Sequence, residues 1–191
     1  MHSDGFGVDH SRCAGRGRSR RNWLRMVGGL ALGASVSGWL PAAQASSLTV
    51  GRPAPGLVLH TLDGQSIASE DLRGNVVILT FWATWCEPCR TELPLLSAYA
   101  ARHAANGLRV LGFSLDGPDN LAEVRQVAAN LSFPVGLLGS AYAGGYGRMW
   151  RIPVSFTIDR NGFLVDNGWD DSQPSWTAER LERIVTPLFR R

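Results

Sequence analysis

The amino-acid sequence predicts an α/β domain in which a central mixed sheet is flanked by helices. Strand patterns alternate with helix patterns between residues 76 and 138, which indicates parallel strands joined by right-handed crossovers. Two glycine-containing turn signals, at residues 63–64 and 160–162, lie between strand-like runs and predict antiparallel hairpins. The chain of 191 residues is long enough for one such domain and a leader.

The predicted domain begins with an N-terminal β-hairpin extension. Residues 56–62 and 66–67 flank an Asp-Gly pair, which favours a two-residue turn because both positions tolerate a positive φ. A short helical turn over residues 69–72 follows, and Gly74 ends it. The extension therefore precedes the central sheet in the chain.

The first strand of the central sheet is predicted over residues 76–82, where aliphatic and aromatic side chains run without interruption. Such a run is typical of a strand buried on both faces. A helix is predicted from Pro88 to about residue 105, because proline is favoured in the first helical turn. An Asn-Gly pair at 106–107 ends this helix.

The remaining elements continue the alternation and end with a hairpin that adds antiparallel edge strands to the sheet. A closing helix with one apolar face is predicted over residues 177–189. In order, the other predictions are a strand at 108–115, a helix at 120–131, a strand at 133–138, an irregular segment at 140–150, and strands at 153–159 and 163–167.

Residues 1–45 have the organisation of a cleaved export signal. A basic segment ends at Arg25, a glycine- and alanine-rich apolar stretch follows, and residues 43–45 form a small-x-small cleavage site. The arginine pair at 20–21 resembles the twin-arginine signal, and a general secretory signal is the alternative. The prediction is a signal peptide over 1–45 and a periplasmic domain over 46–191, with no stable membrane span after cleavage.

The charge of the predicted mature domain argues against a nucleic-acid partner. Six of the 19 basic residues and two of the 16 acidic residues lie in the leader, so the formal charge of +3 becomes −1 without it. The basic character of the chain is therefore a property of the leader rather than of a nucleic-acid surface. No residue pattern points to a bound cofactor.

Cys86 and Cys89 form the most informative motif of the chain. Two residues separate them at a predicted strand–helix junction, while the third cysteine, Cys13, belongs to the leader. Free N–H groups and the dipole at a helix N-terminus favour a thiolate, so Cys86 is predicted to attack disulfides. Cys89, one turn further into the helix and shielded by packing, is predicted to resolve the mixed disulfide.

A metal half-site and a merely structural disulfide are the alternatives for this cysteine pair. Tetrahedral metal sites take four ligands, and His60 and His103 are not at ligand spacing. A disulfide that closes so small a loop adds little stability. The sequence therefore favours a redox role, and no metal ligand is predicted.

Three segments carry a resemblance to the thioredoxin superfamily. Residues 81–94, FWATWCEPCRTELP, are similar to its active-site segment. The Glu-Pro pair between the cysteines is similar to the TlpA/ResA/DsbE branch of exported thiol–disulfide oxidoreductases. Residues 50–55, VGRPAP, resemble the N-terminal extension of that branch, and residues 151–162 resemble the family's cis-proline loop and following hairpin. The resemblance covers about residues 48–191 and implies a thioredoxin-like fold.

The resemblance also implies further site residues. Pro153 is expected to form a cis peptide bond with Ile152, whose backbone groups would meet a substrate strand. Glu92 resembles a glutamate of the same branch and is a candidate proton acceptor for Cys89. Thr80 stands where thioredoxins proper carry a buried acid, which leaves the usual acceptor missing.

Residues beside the cysteines complete the predicted site. Glu87 and Pro88, between the two cysteines, are expected to tune the reduction potential of the pair. Trp85, which directly precedes Cys86, is a candidate for an exposed apolar contact with substrate. Trp82 is instead expected to pack in the core.

The resulting hypothesis is a periplasmic enzyme that reduces disulfides of protein substrates, with a role in cytochrome c maturation implied by the resemblance. Its partners would be a disulfide- or thiol-containing periplasmic protein and a membrane electron donor. A thiol peroxidase is one alternative, although Thr84 is one position too close to Cys86 for its Pro-x-x-x-Thr-x-x-Cys pattern, and Leu79 replaces the proline. A non-catalytic copper-binding redox module is another.

Overall fold

The computed structural model describes residues 48–190, so the predicted signal peptide lies outside the described residues. This part of the chain contains seven strands, three α-helices and five short 3-10 helices. The strands are β1 (Val58–His60), β2 (Ser66–Ala68), β3 (Val76–Trp82), β4 (Leu108–Ser114), β5 (Val135–Leu137), β6 (Val154–Ile158) and β7 (Leu164–Asn167), and the α-helices are α1 (Glu87–His103), α2 (Leu121–Ala128) and α3 (Ala178–Ile184).

The central sheet has five strands in the order β5-β4-β3-β6-β7. β3, β4 and β5 are parallel neighbours, whereas β6 is antiparallel to both β3 and β7. The sheet is therefore mixed, and α1 and α2 connect its parallel strands as predicted. The sequence predicts edge positions for both strands of the last hairpin, and this is wrong for β6, because β6 pairs on one side with β3 and on the other with β7.

β3 is buried along its whole length, which confirms the prediction of a central strand. Its side chains alternate between the two faces of the sheet. Val76, Ile78 and Trp82 pack in the core that contains both cysteines and α1. Leu79 and Phe81 belong to the core on the other face, where aromatic rings from β4 and β6 meet.

α1 begins immediately after Cys86 and carries a proline in its first turn, as expected from the sequence. A short 3-10 segment, Ala104–Asn106, extends the helix to Gly107. Gly107 has a φ of 78°, the left-handed conformation that glycine adopts without steric cost, so it ends the helix where predicted.

The other two helices are shorter than predicted, for different reasons. After α2, the amide of Leu131 bonds to the carbonyl of Ala128, an i→i−3 bond that tightens the last turn out of α-helical geometry. After α3, Pro187 lacks an N–H donor and disfavours the α conformation of the residue before it. The chain there continues as the 3-10 segment Thr186–Arg190.

The N-terminal extension is a hairpin, as predicted, but its connection is wider than two residues. β1 and β2 are antiparallel and joined through residues 61–65. The amide of Thr61 bonds to the carbonyl of Gln65, and Gly64 adopts a φ of 88° inside the turn. Within residues 48–190, no helix is long and apolar enough to cross a membrane.

Candidate active site

The cysteine pair lies where β3 gives way to α1. Cys86 is the N-cap residue of α1, with an extended backbone, and its Sγ accepts the backbone N–H of Cys89 over 3.3 Å. The two sulfurs form a disulfide with an S–S distance of 2.03 Å. Free N–H groups and the dipole at this helix end stabilise negative charge on the capping sulfur. The arrangement therefore favours thiolate at Cys86 once the disulfide is reduced.

The two cysteines differ in their access to solvent. Cys86 retains 5% of its exposure, whereas Cys89 is completely buried among apolar side chains. A sulfur that is buried needs a local group to accept its proton, because a thiolate is costly in apolar surroundings. Cys89 therefore requires a proton acceptor inside the protein, whereas Cys86 retains some contact with solvent.

Glu92 lies one helical turn beyond Cys89 and is buried, with 3% of its surface exposed. Its Oε2 accepts the backbone N–H of Trp176 over 2.7 Å, and its Oε1 has no hydrogen-bond partner among the described residues. Burial raises the pKa of this carboxyl to about 7, against the lowering effects of the Trp176 N–H and the Arg180 charge. Residues three apart on a helix share a face, so Glu92 is placed on the Cys89 side of α1.

Thr80 occupies the middle of β3 in the same core and is fully buried. Its hydroxyl accepts a hydrogen bond from Ser155 on β6 over 3.0 Å. A neutral hydroxyl pair therefore fills the position where thioredoxins proper carry an acid. Glu92 is the buried carboxyl nearest in sequence to the cysteines.

The Ile152–Pro153 peptide bond is cis, which confirms the sequence-based expectation. Pro153 directly precedes β6, whose first residue, Val154, is paired with Phe81 near the end of β3. Ile152 packs against the core that contains both cysteines. The sheet register thus brings the proline loop to the end of the sheet where the disulfide lies.

Asp116 is a site residue that sequence reasoning missed. It is buried just beyond β4, and its carboxylate accepts hydrogen bonds from the backbone N–H and the hydroxyl of Thr84, over 2.9 Å and 2.6 Å. A third bond comes from the hydroxyl of Ser114, also over 2.6 Å. Asp116 therefore anchors the loop that carries Trp85 and Cys86. The Ser-x-Asp spacing after a predicted strand was the available signal, but it is common in turns.

Three tryptophans lie near the site, and the burial of Trp82 and the exposure of Trp85 agree with the predictions from sequence. Trp82 is fully buried, whereas Trp85, beside Cys86, is 67% exposed. Trp150, in the segment before Pro153, is also 67% exposed, and one of its faces stacks on Trp169 at 5.3 Å. Two large apolar surfaces are therefore available to a partner on the segments that flank the disulfide and the proline.

Glu87 projects into solvent from the first turn of α1. Its side chain is 83% exposed, and the nearest cation, Arg90, lies 3.8 Å away on the same helix. Solvent screens such a charge strongly. Among residues 48–190, no group of three or more His, Cys, Asp or Glu side chains is placed to hold a metal ion.

Comparison with known proteins agrees with this geometry. The family model described as the AhpC/TSA family matches residues 50–167. Thiol-disulfide oxidoreductase ResA from Bacillus thuringiensis (strain Al Hakam) is 32% identical over 149 residues, which cover 76% of this chain and 83% of that protein. ResA from Geobacillus thermodenitrificans is 31% identical over 122 residues, covering 61% of this chain and 67% of the relative.

Solved structures extend the likeness to the fold. A thioredoxin-family thiol:disulfide interchange protein from Chlorobium tepidum superimposes with a TM-score of 0.60 at 27% identity, covering 72% of this chain and 96% of that one. A candidate thiol:disulfide interchange protein DsbE from the same organism gives a TM-score of 0.63 at 29% identity, with coverages of 75% and 99%. The fold prediction is confirmed. The chain therefore belongs to the AhpC/TSA family of thioredoxin-like proteins and is a thiol–disulfide oxidoreductase of the ResA and DsbE type.

Proposed function

We propose that this oxidoreductase reduces disulfides in exported protein substrates, with Cys86 as the attacking thiolate, Cys89 as the resolving thiol and Glu92 as the proton acceptor. The observation that carries the proposal is the position of Glu92. A buried carboxyl with a pKa raised to about 7 lies one helical turn from a completely buried cysteine. A pKa near the working pH is what a general base requires.

The first step is attack on the substrate. In the reduced enzyme, the Cys86 thiolate attacks one sulfur of the substrate disulfide, and a Cys86–substrate disulfide forms as the substrate S–S bond breaks. The departing substrate sulfur leaves as a thiolate and takes a proton from solvent. The helix N-terminus lowers the cost of the Cys86 thiolate, so this step needs no separate base.

The second step is resolution by Cys89. Its thiol transfers a proton to Glu92, and the resulting thiolate attacks Sγ of Cys86, which releases the second substrate sulfur as a thiolate. The product is the Cys86–Cys89 disulfide, and two electrons have passed from the cysteines to the substrate. Because Cys89 has no access to solvent, its proton needs an acceptor inside the protein.

Substrate docking is assigned to the loops around the disulfide. The backbone of Ile152 beside cis Pro153 would pair with the substrate strand that carries the disulfide, since proline itself offers no N–H to compete. Trp85 would add an apolar contact beside the attacked sulfur. Glu87 and Pro88 would tune the reduction potential through charge and helix geometry at the capping sulfur.

The proposal also includes export to the periplasm and electron flow from the enzyme to its substrate. The leader at residues 1–45 supports export to the periplasm, with the arginine pair at 20–21 supporting the twin-arginine route. A reductase in an oxidising compartment needs electrons, so a membrane-bound dithiol donor would regenerate the enzyme. The likeness to proteins named ResA and DsbE supports cytochrome c maturation as the setting.

The geometry favours disulfide exchange over peroxide reduction. The hydroxyl of Thr84, the threonine nearest Cys86 in sequence, donates to the buried carboxylate of Asp116. That hydroxyl is therefore committed to holding the loop. Exchange needs only the two cysteines, the proline loop and a proton acceptor, and the proline loop lies at the end of the sheet that carries the disulfide.

The test is reduction of a protein disulfide in a single turnover of the pre-reduced enzyme. Cys86→Ser should abolish turnover, whereas Glu92→Gln should retain the first step and slow release of the second substrate thiol by about a hundredfold. Full turnover by either variant contradicts the assigned roles. A reduction potential near that of strong periplasmic oxidants, about −120 mV, would contradict the reductive direction.

A further inference from the structure

The segment between β7 and α3 covers Glu92. Trp176 lies in this segment, is 3% exposed, and uses its backbone N–H to bind the carboxylate. Its indole packs in the same core as the cysteines. The position of the Trp176 backbone therefore decides whether Glu92 keeps its hydrogen bond.

Arg180, in the first turn of α3, is a charged residue that holds the part of this segment around Trp176. Its guanidinium lies over the indole of Trp176, with Cζ 4.5 Å from the ring centroid. Its Nη1 donates to the carbonyl of Pro174, two residues before that tryptophan. The side chain is only 4% exposed. Arg180 thus contacts the segment on both sides of the amide that binds Glu92.

Two aspartates fix the guanidinium in turn. Asp166, on β7, accepts two hydrogen bonds from Nη2, over 2.9 Å and 3.2 Å. Asp171 lies 3.5 Å from Nε. Nη1 and Nη2 donate to different acceptors and Nε faces a third, so the planar group is held in one orientation that a lysine cannot reproduce. The chain of contacts therefore runs from the sheet through Arg180 to Trp176 and Glu92.

We propose that Arg180 is a positioning residue for thiol–disulfide exchange, which holds the Trp176 amide on Glu92 and supplies the positive charge that balances its carboxylate. This inference rests on the proposed role of Glu92 as the proton acceptor. Arg180 touches neither cysteine in this account, and it acts only through the carboxyl.

Two physical effects make the position matter. A hydrogen bond from a backbone N–H stabilises the ionised carboxylate, and so does a nearby positive charge, while burial opposes both. The Trp176 amide and the Arg180 charge each lower the pKa of Glu92, so that burial raises it only to about 7. Without Arg180 both opposing effects weaken, and Glu92 would hold its proton to higher pH.

The groups that bear on this carboxyl come from three elements. Cys89 precedes it on α1, the Trp176 amide faces it from the β7–α3 segment, and Arg180 faces it from α3. Asp166 and Asp171 act on it indirectly, through the guanidinium that they bind. The substitution of Arg180 therefore changes the only cation in this set.

The experiment is a carbon-13 NMR titration of the glutamate carboxyls in the whole mature domain, with Glu92→Gln used to assign the signal. In Arg180→Gln, the Glu92 titration should move upward by about one pH unit relative to the unsubstituted protein. Arg180→Lys retains the positive charge but not the planar guanidinium, so it should raise the pKa of Glu92 by less than Arg180→Gln does. Arg190→Gln removes an exposed arginine that follows α3 in the chain, and it should leave the titration unchanged.

Turnover measured on the same variants separates this inference from the proposed function. The alkaline shift should appear in the pH profile of the resolving step in Arg180→Gln, and it should vanish when Glu92→Gln is added. If Arg180→Gln folds and the pKa of Glu92 is unchanged in it, the positioning role is overturned. If Arg180→Gln does not fold, the same measurement is made on Arg180→Lys. Normal turnover by Glu92→Gln instead overturns the proposed function and leaves the effect of Arg180 on the carboxyl standing.

Discussion

The backbone N–H of Trp176 lies 2.7 Å from Oε2 of Glu92, across 84 residues of sequence. This contact joins the C-terminal segment to the helix that carries both cysteines. It satisfies one oxygen of a buried carboxyl, whose other oxygen, Oε1, has no hydrogen-bond partner among the described residues. A buried polar atom without a partner is costly, and a buried carboxyl with a raised pKa is a candidate for a functional role.

The first prediction concerns the pH dependence of stability. Burial raises the pKa of Glu92 from its ordinary value of 4.5 to about 7, so the folded state binds this proton more tightly than the unfolded state. The corresponding stability is full below about pH 4.5 and is lost as the pH rises through 7. The loss should amount to about 3 kcal/mol in denaturant unfolding of the oxidised protein between pH 4.5 and 8.

Glu92→Gln should remove this part of the pH dependence, because glutamine does not titrate. The exposed Glu123 on α2 offers a matched control, and Glu123→Gln should keep the full dependence. An identical pH profile for Glu92→Gln and the unsubstituted protein would show that Glu92 titrates normally.

The second prediction concerns Asp116, which anchors the loop before the cysteines through three hydrogen bonds. Asp116→Ala removes the acceptor of two donors on the half-buried Thr84 and one on the buried Ser114, so the free energy of unfolding should fall by about 2–3 kcal/mol. Asp119→Ala, at an exposed position three residues away, should change it by less than about 0.5 kcal/mol. Equal effects of the two substitutions in urea titrations would refute the anchoring role.

The third prediction concerns the exposed face of Trp85. Trp85→Ala should raise KM for a protein disulfide about fivefold, because the lost contact contributes about 1 kcal/mol to the free energy of binding. The free energy of unfolding should change little. Phe163→Ala removes another exposed aromatic, in the turn between β6 and β7 at the opposite end of the sheet. It should leave KM unchanged, and a KM that rises equally in both variants would argue against a docking role for Trp85.

Local patterns were sufficient to predict most of the fold. The uninterrupted apolar run of β3 and the glycine that ends α1 both act through neighbouring residues, so they are readable from sequence. The position of β6 between β3 and β7 was not readable, because strand order depends on pairing between distant segments. The ends of α2 and α3 were also missed, since single hydrogen bonds and Pro187 decide them.

The site divides in the same way. Cys86 and Cys89 were identified from spacing and from their place at a helix N-terminus, and Pro153 from a family resemblance. Asp116 was missed, because its partner Thr84 lies 32 residues earlier in the chain. Whether Glu92 was buried was equally undecided from sequence, because burial depends on Trp176, which reaches it only in the folded chain.

The central claim is that Cys86 attacks and Cys89 resolves, and trapping of the mixed disulfide tests it most directly. Cys89→Ser should accumulate a covalent adduct with a disulfide-bearing protein, seen by intact-mass spectrometry as one substrate joined to one enzyme and released by a reductant. Cys86→Ser should form no adduct at neutral pH, because Cys89 is completely buried. Adduct formation by Cys86→Ser at the same rate as by Cys89→Ser would contradict the account.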